Sequence, residues 1–75
     1  MKPAEDADFS DEFRRFLQAC VPSVEAAERL LRLKRGAPHE LPLEARDWRH
    51  LETLERVYLE RPVTLFRAIY ALRSP

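Results

Sequence analysis

Residues 9–23 read FSDEFRRFLQACVPS, and the spacing within this stretch is the strongest indication of fold class. Its apolar residues follow one another at steps of 4, 3, 1, 3 and 1, which puts them on one face of an α-helix: Phe9, Phe13, Phe16, Leu17, Cys20 and Val21. Asp8 or Ser10 is suited to cap the start of this helix. Pro22 should end it and Ser23 should cap the next one, so the stretch predicts two successive helices.

Three further helices are predicted after Pro22. The second covers residues 24–35 and ends at Gly36, because glycine is able to adopt a positive φ after a helix. After a loop at 37–41, the third helix covers 42–61, with Pro42 at its first position. Five of its residues are predicted to point inward: Trp48, Leu51, Leu54, Val57 and Tyr58.

The fourth predicted helix begins near Pro62, because proline removes an amide donor and is tolerated in a first turn. Its apolar residues occupy more than half of its circumference: Val63, Leu65, Phe66, Ile69, Tyr70 and Leu72. Such a wide apolar surface exceeds what one buried face on a small body requires. We therefore expect a second chain to cover part of it.

Length and composition limit the protein to a single domain of one class. Seventy-five residues bury roughly 60% of their unfolded surface, which gives marginal stability to an isolated chain. One glycine and no asparagine leave few residues for tight hairpins. We predict an all-α domain of three to four short helices in a compact bundle, homodimeric, over residues 9–75, preceded by an acidic flexible lead over residues 1–8.

The composition also bears on the setting of the protein. No apolar run approaches the ~18 residues that span a bilayer, and no signal-peptide core follows Met1. The only cysteine, Cys20, has no partner for an internal disulfide. Eleven arginines against two lysines are typical of a bacterial, GC-rich source. We predict a bacterial cytoplasmic protein without a membrane partner.

The residues that commonly perform chemistry do not form a catalytic pattern. Cys20, His39 and His50 are the candidate zinc ligands, but neither Cys-x-x-Cys nor His-x3-His spacing is present. Cys20 is expected to be a buried, inert thiol, and both histidines are expected to be solvated. One glycine cannot form a phosphate-binding loop. We therefore predict no enzyme activity, no cofactor and no metal.

The charges are unevenly distributed along the chain. Residues 1–12 hold one lysine against five acidic residues, or 1 − 5 = −4, whereas residues 13–75 hold 12 basic and 8 acidic residues, or +4. The run at 29–35, RLLRLKR, carries four cations. Six residues are the candidates for phosphate contacts: Arg14, Arg15, Arg29, Arg32, Lys34 and Arg35. A solvated helix face is the alternative interpretation of the run.

Large apolar side chains of the last two helices are candidates for a dimer or partner interface. The candidates are Trp48, Leu51, Tyr58, Phe66, Ile69 and Tyr70. Packing in the core of the single chain is the alternative for these residues, because aromatic side chains serve both purposes.

Two stretches resemble a group of poorly characterised bacterial winged-helix-like regulatory proteins. Residues 16–25 (FLQACVPSVE), with the leucine-rich 30–33, are similar to the opening of those proteins, and residues 54–70 are similar to their C-terminal helices. The resemblance implies a regulatory protein. The interval from Gly36 to Trp48 is too short for a recognition helix and a wing, so only the flanking helices carry over.

Two functions of different classes follow from these observations. The first is a small, non-catalytic helical module that forms a homodimer and regulates or scaffolds an unidentified protein partner. The alternative is a DNA-binding transcriptional regulator that contacts phosphates through the basic run at 29–35.

Overall fold

The computed structural model describes residues 9–73, which form four α-helices and no β-strand within that range. The helices are α1 (Asp11–Cys20), α2 (Val24–Gly36), α3 (Trp48–Glu60) and α4 (Pro62–Arg73). The predicted all-α class is therefore confirmed. The acidic lead predicted at 1–8 lies outside the described residues.

Serine caps define the first two helices. The Oγ of Ser10 accepts a hydrogen bond from the Phe13 amide at 3.2 Å, and the Oγ of Ser23 accepts one from the Ala26 amide at 3.2 Å. Each bond satisfies an amide that has no partner inside its helix. The predicted order of helix, break at Pro22 and second helix is confirmed.

The break between α3 and α4 also follows the prediction. Arg61 leaves the helical region, with φ −141° and ψ 63°, and its amide still donates to the Val57 carbonyl at 2.8 Å. Pro62 is the first residue of α4, where its missing amide costs no helical hydrogen bond.

The predicted start of the third helix at Pro42 is wrong. Residues 38–40 and 43–45 form two short 3₁₀ turns, and α3 begins only at Trp48, where the Oδ1 of Asp47 accepts a hydrogen bond from the Arg49 amide at 3.1 Å. The Arg46 guanidinium donates to the Leu41 carbonyl at 3.2 Å, which ties the connection to itself. These turns bury Leu41 and Ala45, and a continuous helix would place those side chains differently.

Gly36 does not use the positive φ that glycine can adopt. Gly36 is the last residue of α2, and no glycine in the described range has a positive φ. The next residue, Ala37, caps the end of the helix with φ −149° and ψ 63°, and its amide donates to the Leu33 carbonyl at 2.8 Å. The backbone conformation at position 36 is therefore open to residues other than glycine.

The core lies between two helix pairs. α2 packs mainly on α3, and α1 packs mainly on α4 and on the turn Leu43–Ala45. The buried side chains are Phe9, Phe13, Phe16, Leu17, Val21, Ala27, Leu30, Leu31, Leu41, Ala45, Leu51, Leu54, Val57, Leu65 and Ile69. The Cα radius of gyration is 11.8 Å, close to the ~11 Å expected of a compact domain of this length. Between residues 9 and 73, no helix combines the length and apolarity needed to cross a bilayer.

Gly36→Ala should stabilise the fold, because alanine loses less backbone entropy than glycine on entering a helix. A Cβ at position 36 would meet no atom within 4 Å, so the substitution adds no clash. We expect the free energy of unfolding to rise by about 0.4–1 kcal/mol, measured by urea unfolding followed by circular dichroism. A loss of stability would mean that residue 36 needs a conformation open only to glycine.

Candidate functional site

One carboxylate links α2 to α3 and uses two cations of the basic run. Glu55 accepts hydrogen bonds from the Nζ of Lys34 and the Nε of Arg35, each at 3.1 Å. Lys34 also lies 4.9 Å from the centre of the Trp48 ring, a cation–π distance, and its side chain is only 13% exposed. Lys34 therefore serves the fold and is poorly placed to contact a phosphate.

This link changes the ionisation of Glu55. The hydrogen bonds from Lys34 and Arg35 lower the pKa of the Glu55 carboxyl, because both favour the charged form. A folded-state pKa below the unfolded one stabilises the fold at a pH above the unfolded value. That stabilisation is lost as the pH falls through the folded pKa.

The predicted phosphate-contact residues fall on two helices with different neighbours. Arg14 and Arg15 are exposed on α1, whereas Arg29, Arg32 and Arg35 are exposed on α2. The two groups therefore lie on helices that pack mainly on different neighbours, α4 for α1 and α3 for α2. Among the α2 cations, Arg32 has no hydrogen bond or ion pair within residues 9–73.

The predicted interface residues also divide into two groups. Leu51 and Ile69 are buried in the core of the chain, in agreement with the alternative of packing within the single chain. Trp48, predicted to point inward, is 44% exposed because it is the first residue of α3. Tyr58 and Phe66 are half-buried against each other, with ring centres 6.2 Å apart.

The exposed apolar surface of α4 carries part of the predicted interface. Val63 is 60% exposed and Tyr70 is 65% exposed, and the half-buried Phe66 lies between them in sequence. Steps of 3 and 4 residues put all three on one side of the helix, away from the buried Leu65 and Ile69. We call Val63, Phe66 and Tyr70 the α4 stripe.

A groove separates α2 from α3 beside this stripe. It has a volume of about 650 Å³ and is lined by Glu28, Leu31, Arg32, Arg35, Gly36, Tyr58 and Leu59. The lining residues that belong to α2 are separated by 3, 1, 3 and 1 positions, so they lie along one edge of that helix. Sequence reasoning did not select Leu59, which is 63% exposed on α3, because a leucine in a helical pattern is normally assigned to the core.

Tyr58 fixes one wall of the groove. Its hydroxyl donates to the Oε2 of Glu28 at 2.9 Å, and this bond raises the pKa of the Tyr58 phenol. Together with the Lys34–Glu55 contact, it shows that α2 and α3 run antiparallel. Since Tyr58 also contacts Phe66, it connects the groove to the α4 stripe.

The two histidines and the cysteine do not meet. His50, expected to be solvated, packs against the ring of Phe16 with centres 5.2 Å apart, and its Nδ1 lies 2.9 Å from the Oδ2 of Asp47. Burial, and to a lesser extent the charge of Glu44, raise the pKa of the half-buried Cys20 thiol, which lowers its reactivity. Across the described residues, no group of three or more His, Cys, Asp or Glu side chains is placed to hold a metal.

Comparison of the chain with protein-family models, with curated proteins and with solved structures finds no match. The resemblance to winged-helix-like regulatory proteins therefore stays a prediction.

Glu55→Gln should destabilise the protein at neutral pH and have little effect in acid. Loss of the two charge-assisted bonds should lower the free energy of unfolding by about 0.5–1 kcal/mol at pH 7. Because the pKa of Glu55 is lowered in the fold, this difference should shrink as the pH falls toward about 2.5.

Thermal unfolding of both proteins across this pH range, followed by circular dichroism, measures the difference. Glu52→Gln is the matched control, because Glu52 is an exposed carboxylate on the same helix. A difference between wild type and Glu55→Gln that stayed constant down to the lowest pH would contradict the assigned ionisation.

Proposed function

We propose that this protein is a small, non-catalytic interaction module that forms a homodimer through the α4 stripe. The observation that carries the proposal is the exposure of Val63 and Tyr70 on a helix whose opposite side is already buried. A helix with apolar residues on both sides is normally covered on both sides.

The composition of the stripe supports this use. Tyrosine, phenylalanine and arginine are enriched in protein interfaces and in the residues that dominate binding energy. The stripe supplies Phe66 and Tyr70, and Arg67 is exposed next to them on α4. Phe66 is already fixed by its contact with Tyr58, so little side-chain freedom is lost when a partner binds.

A second copy is a suitable occupant of the stripe because two-fold symmetry repeats the same surface. In an antiparallel pairing of two α4 helices, Phe66 lies near the symmetry axis, and Val63 of one copy lies opposite Tyr70 of the other. The pairing also gives a chain of 75 residues additional buried apolar area.

The double variant Val63→Asp, Tyr70→Asp should convert a dimer into a monomer. Both side chains are exposed, so carboxylates are tolerated by the single chain but are costly inside an apolar interface. Light scattering after size exclusion should give wild type a mass near twice 8.9 kDa and the variant a mass near 8.9 kDa. Leu43→Asp is the matched control, because Leu43 is 76% exposed on a 3₁₀ turn outside the stripe.

The salt dependence of the dimer is a second part of the same test. Pro62–Arg73 contains Arg67 and Arg73 and no acidic residue, so two paired copies of α4 repel each other. Added salt screens that repulsion and should strengthen the dimer. A wild-type protein that stays monomeric at every salt and protein concentration tested would overturn the homodimer proposal.

The nucleic-acid alternative has weaker support. Glu55 binds Lys34 and Arg35, which removes much of the positive charge from one end of the basic run. The exposed Arg14, Arg15 and Arg29 are the cations that keep this alternative open. Steep weakening of duplex binding with salt, in proportion to the number of phosphates contacted, is its expected signature.

A further inference from the structure

We propose that the groove between α2 and α3 binds an acidic amphipathic helix of a partner protein. This site goes beyond the homodimer and does not depend on it, because the groove is lined by residues outside the α4 stripe. The shape of the groove, its apolar wall and the charges at one of its ends all suit such a helix.

The shape suits a helix of about two turns. The α2 edge of the groove extends from Glu28 to Gly36, eight residues apart, which corresponds to about 12 Å along the helix axis. Gly36 has no side chain, and a Cβ there would meet no atom within 4 Å, so the groove is open at this end. A partner backbone can approach α2 closely at an open glycine.

The groove also has an apolar wall, which lies toward its Glu28 end. Leu31 contributes an edge of the core, Leu59 is 63% exposed, and the Tyr58 ring is fixed by its hydroxyl bond to Glu28. A preformed apolar surface of this kind matches the way in which an amphipathic helix places its apolar residues into a groove.

The charges along the groove favour a negatively charged helix. At the Gly36 end, the lining cations are Arg32 and Arg35, and Glu55 shares its carboxylate between Arg35 and Lys34 outside the lining, so this end stays positively charged. Arg32 has no polar partner within residues 9–73. Arg35 bonds to Glu55 through Nε alone among the described contacts, so its terminal nitrogens remain available. Arginine binds carboxylates through two parallel bonds, so acidic side chains are the expected ligands.

Glu28 is the acidic residue at the opposite end of the groove. Its Oε2 already accepts the Tyr58 hydroxyl at 2.9 Å, so part of its acceptor capacity is used within the chain. The groove is therefore positive toward Gly36 and mainly apolar toward Glu28. The complementary helix carries its carboxylates toward one end, next to its apolar residues.

Fluorescence anisotropy with a designed peptide tests this site. The probe is a fluorescein-labelled helix of roughly 15 residues with a leucine stripe flanked by glutamates, and a matched peptide carries lysine in place of each glutamate. We expect the glutamate peptide to bind the wild-type protein at least ~10-fold more tightly than the lysine peptide. Its binding should weaken as the salt concentration rises.

Three substitutions connect binding to the groove. Arg32→Glu should weaken binding of the glutamate peptide at least ~10-fold. Arg32→Gln should also weaken binding, and it does not place a second carboxylate four residues after Glu28. Gly36→Phe should weaken it by filling the open end, with no change of charge. Arg29→Glu is the matched control, because Arg29 is exposed on α2 but does not line the groove.

The remaining outcomes are equally informative. Equal binding of both peptides, no binding of the glutamate peptide, or equal loss in the Arg29 and Arg32 variants would overturn the proposal. A duplex DNA probe that binds where the peptide does not would assign the arginines to phosphates instead. The double variant Val63→Asp, Tyr70→Asp should bind the peptide with the affinity of wild type. Failure of the groove proposal is therefore distinguishable from failure of the dimer proposal.

Discussion

The hydrogen bonds from Lys34 and Arg35 to Glu55 determine which cations remain available for binding on the surface of this protein. They join the end of α2 to the middle of α3 and, with the Tyr58–Glu28 bond, set the antiparallel register of the two helices. A partly exposed ion pair contributes little to stability, about 0–1 kcal/mol. Its larger effect is on function, because it decides which cations of the run at 29–35 are used within the chain.

The small size of the chain explains why apolar side chains remain outside. The chain is divided into short helices by breaks at Pro22 and Arg61 and by the connection before Asp47, and α4 covers the core with only one of its sides. A larger domain would cover the other side with another layer. In this protein Val63 and Tyr70 are left in contact with water, where burial by a partner is favourable.

Local signals in the sequence predicted the elements whose causes are local. The caps at Ser10 and Ser23 and the start of α4 at Pro62 each depend on a few neighbouring residues, and each was predicted. The start of α3 was not, because the two 3₁₀ turns are stabilised by burial of Leu41 and Ala45 and by the Arg46 bond to a carbonyl five residues earlier. A continuous helical pattern contains no information about that tertiary contact.

The candidate site shows the same division. The sequence identified Arg32, Arg35, Tyr58, Phe66 and Tyr70, because their residue types are typical of binding surfaces. It could not show that Lys34 is occupied by Glu55 and Trp48, that Leu51 and Ile69 are buried, or that Leu59 is exposed. Each of these depends on the rotation and register of one helix against another, to which hydrophobic spacing is insensitive.

The two proposed surfaces differ in how their charges act on a binding partner. The α4 stripe lies on a helix with two arginines and no acidic residue, so a second copy has to bind against a like charge and gains mainly from apolar burial. The groove combines its apolar wall with Arg32 and Arg35, so an acidic helix gains from both. Added salt should therefore strengthen the contact at the stripe and weaken the one at the groove. The Tyr58 ring contacts Phe66, so the two surfaces are neighbours, yet their opposite salt dependence distinguishes an occupant of one from an occupant of the other.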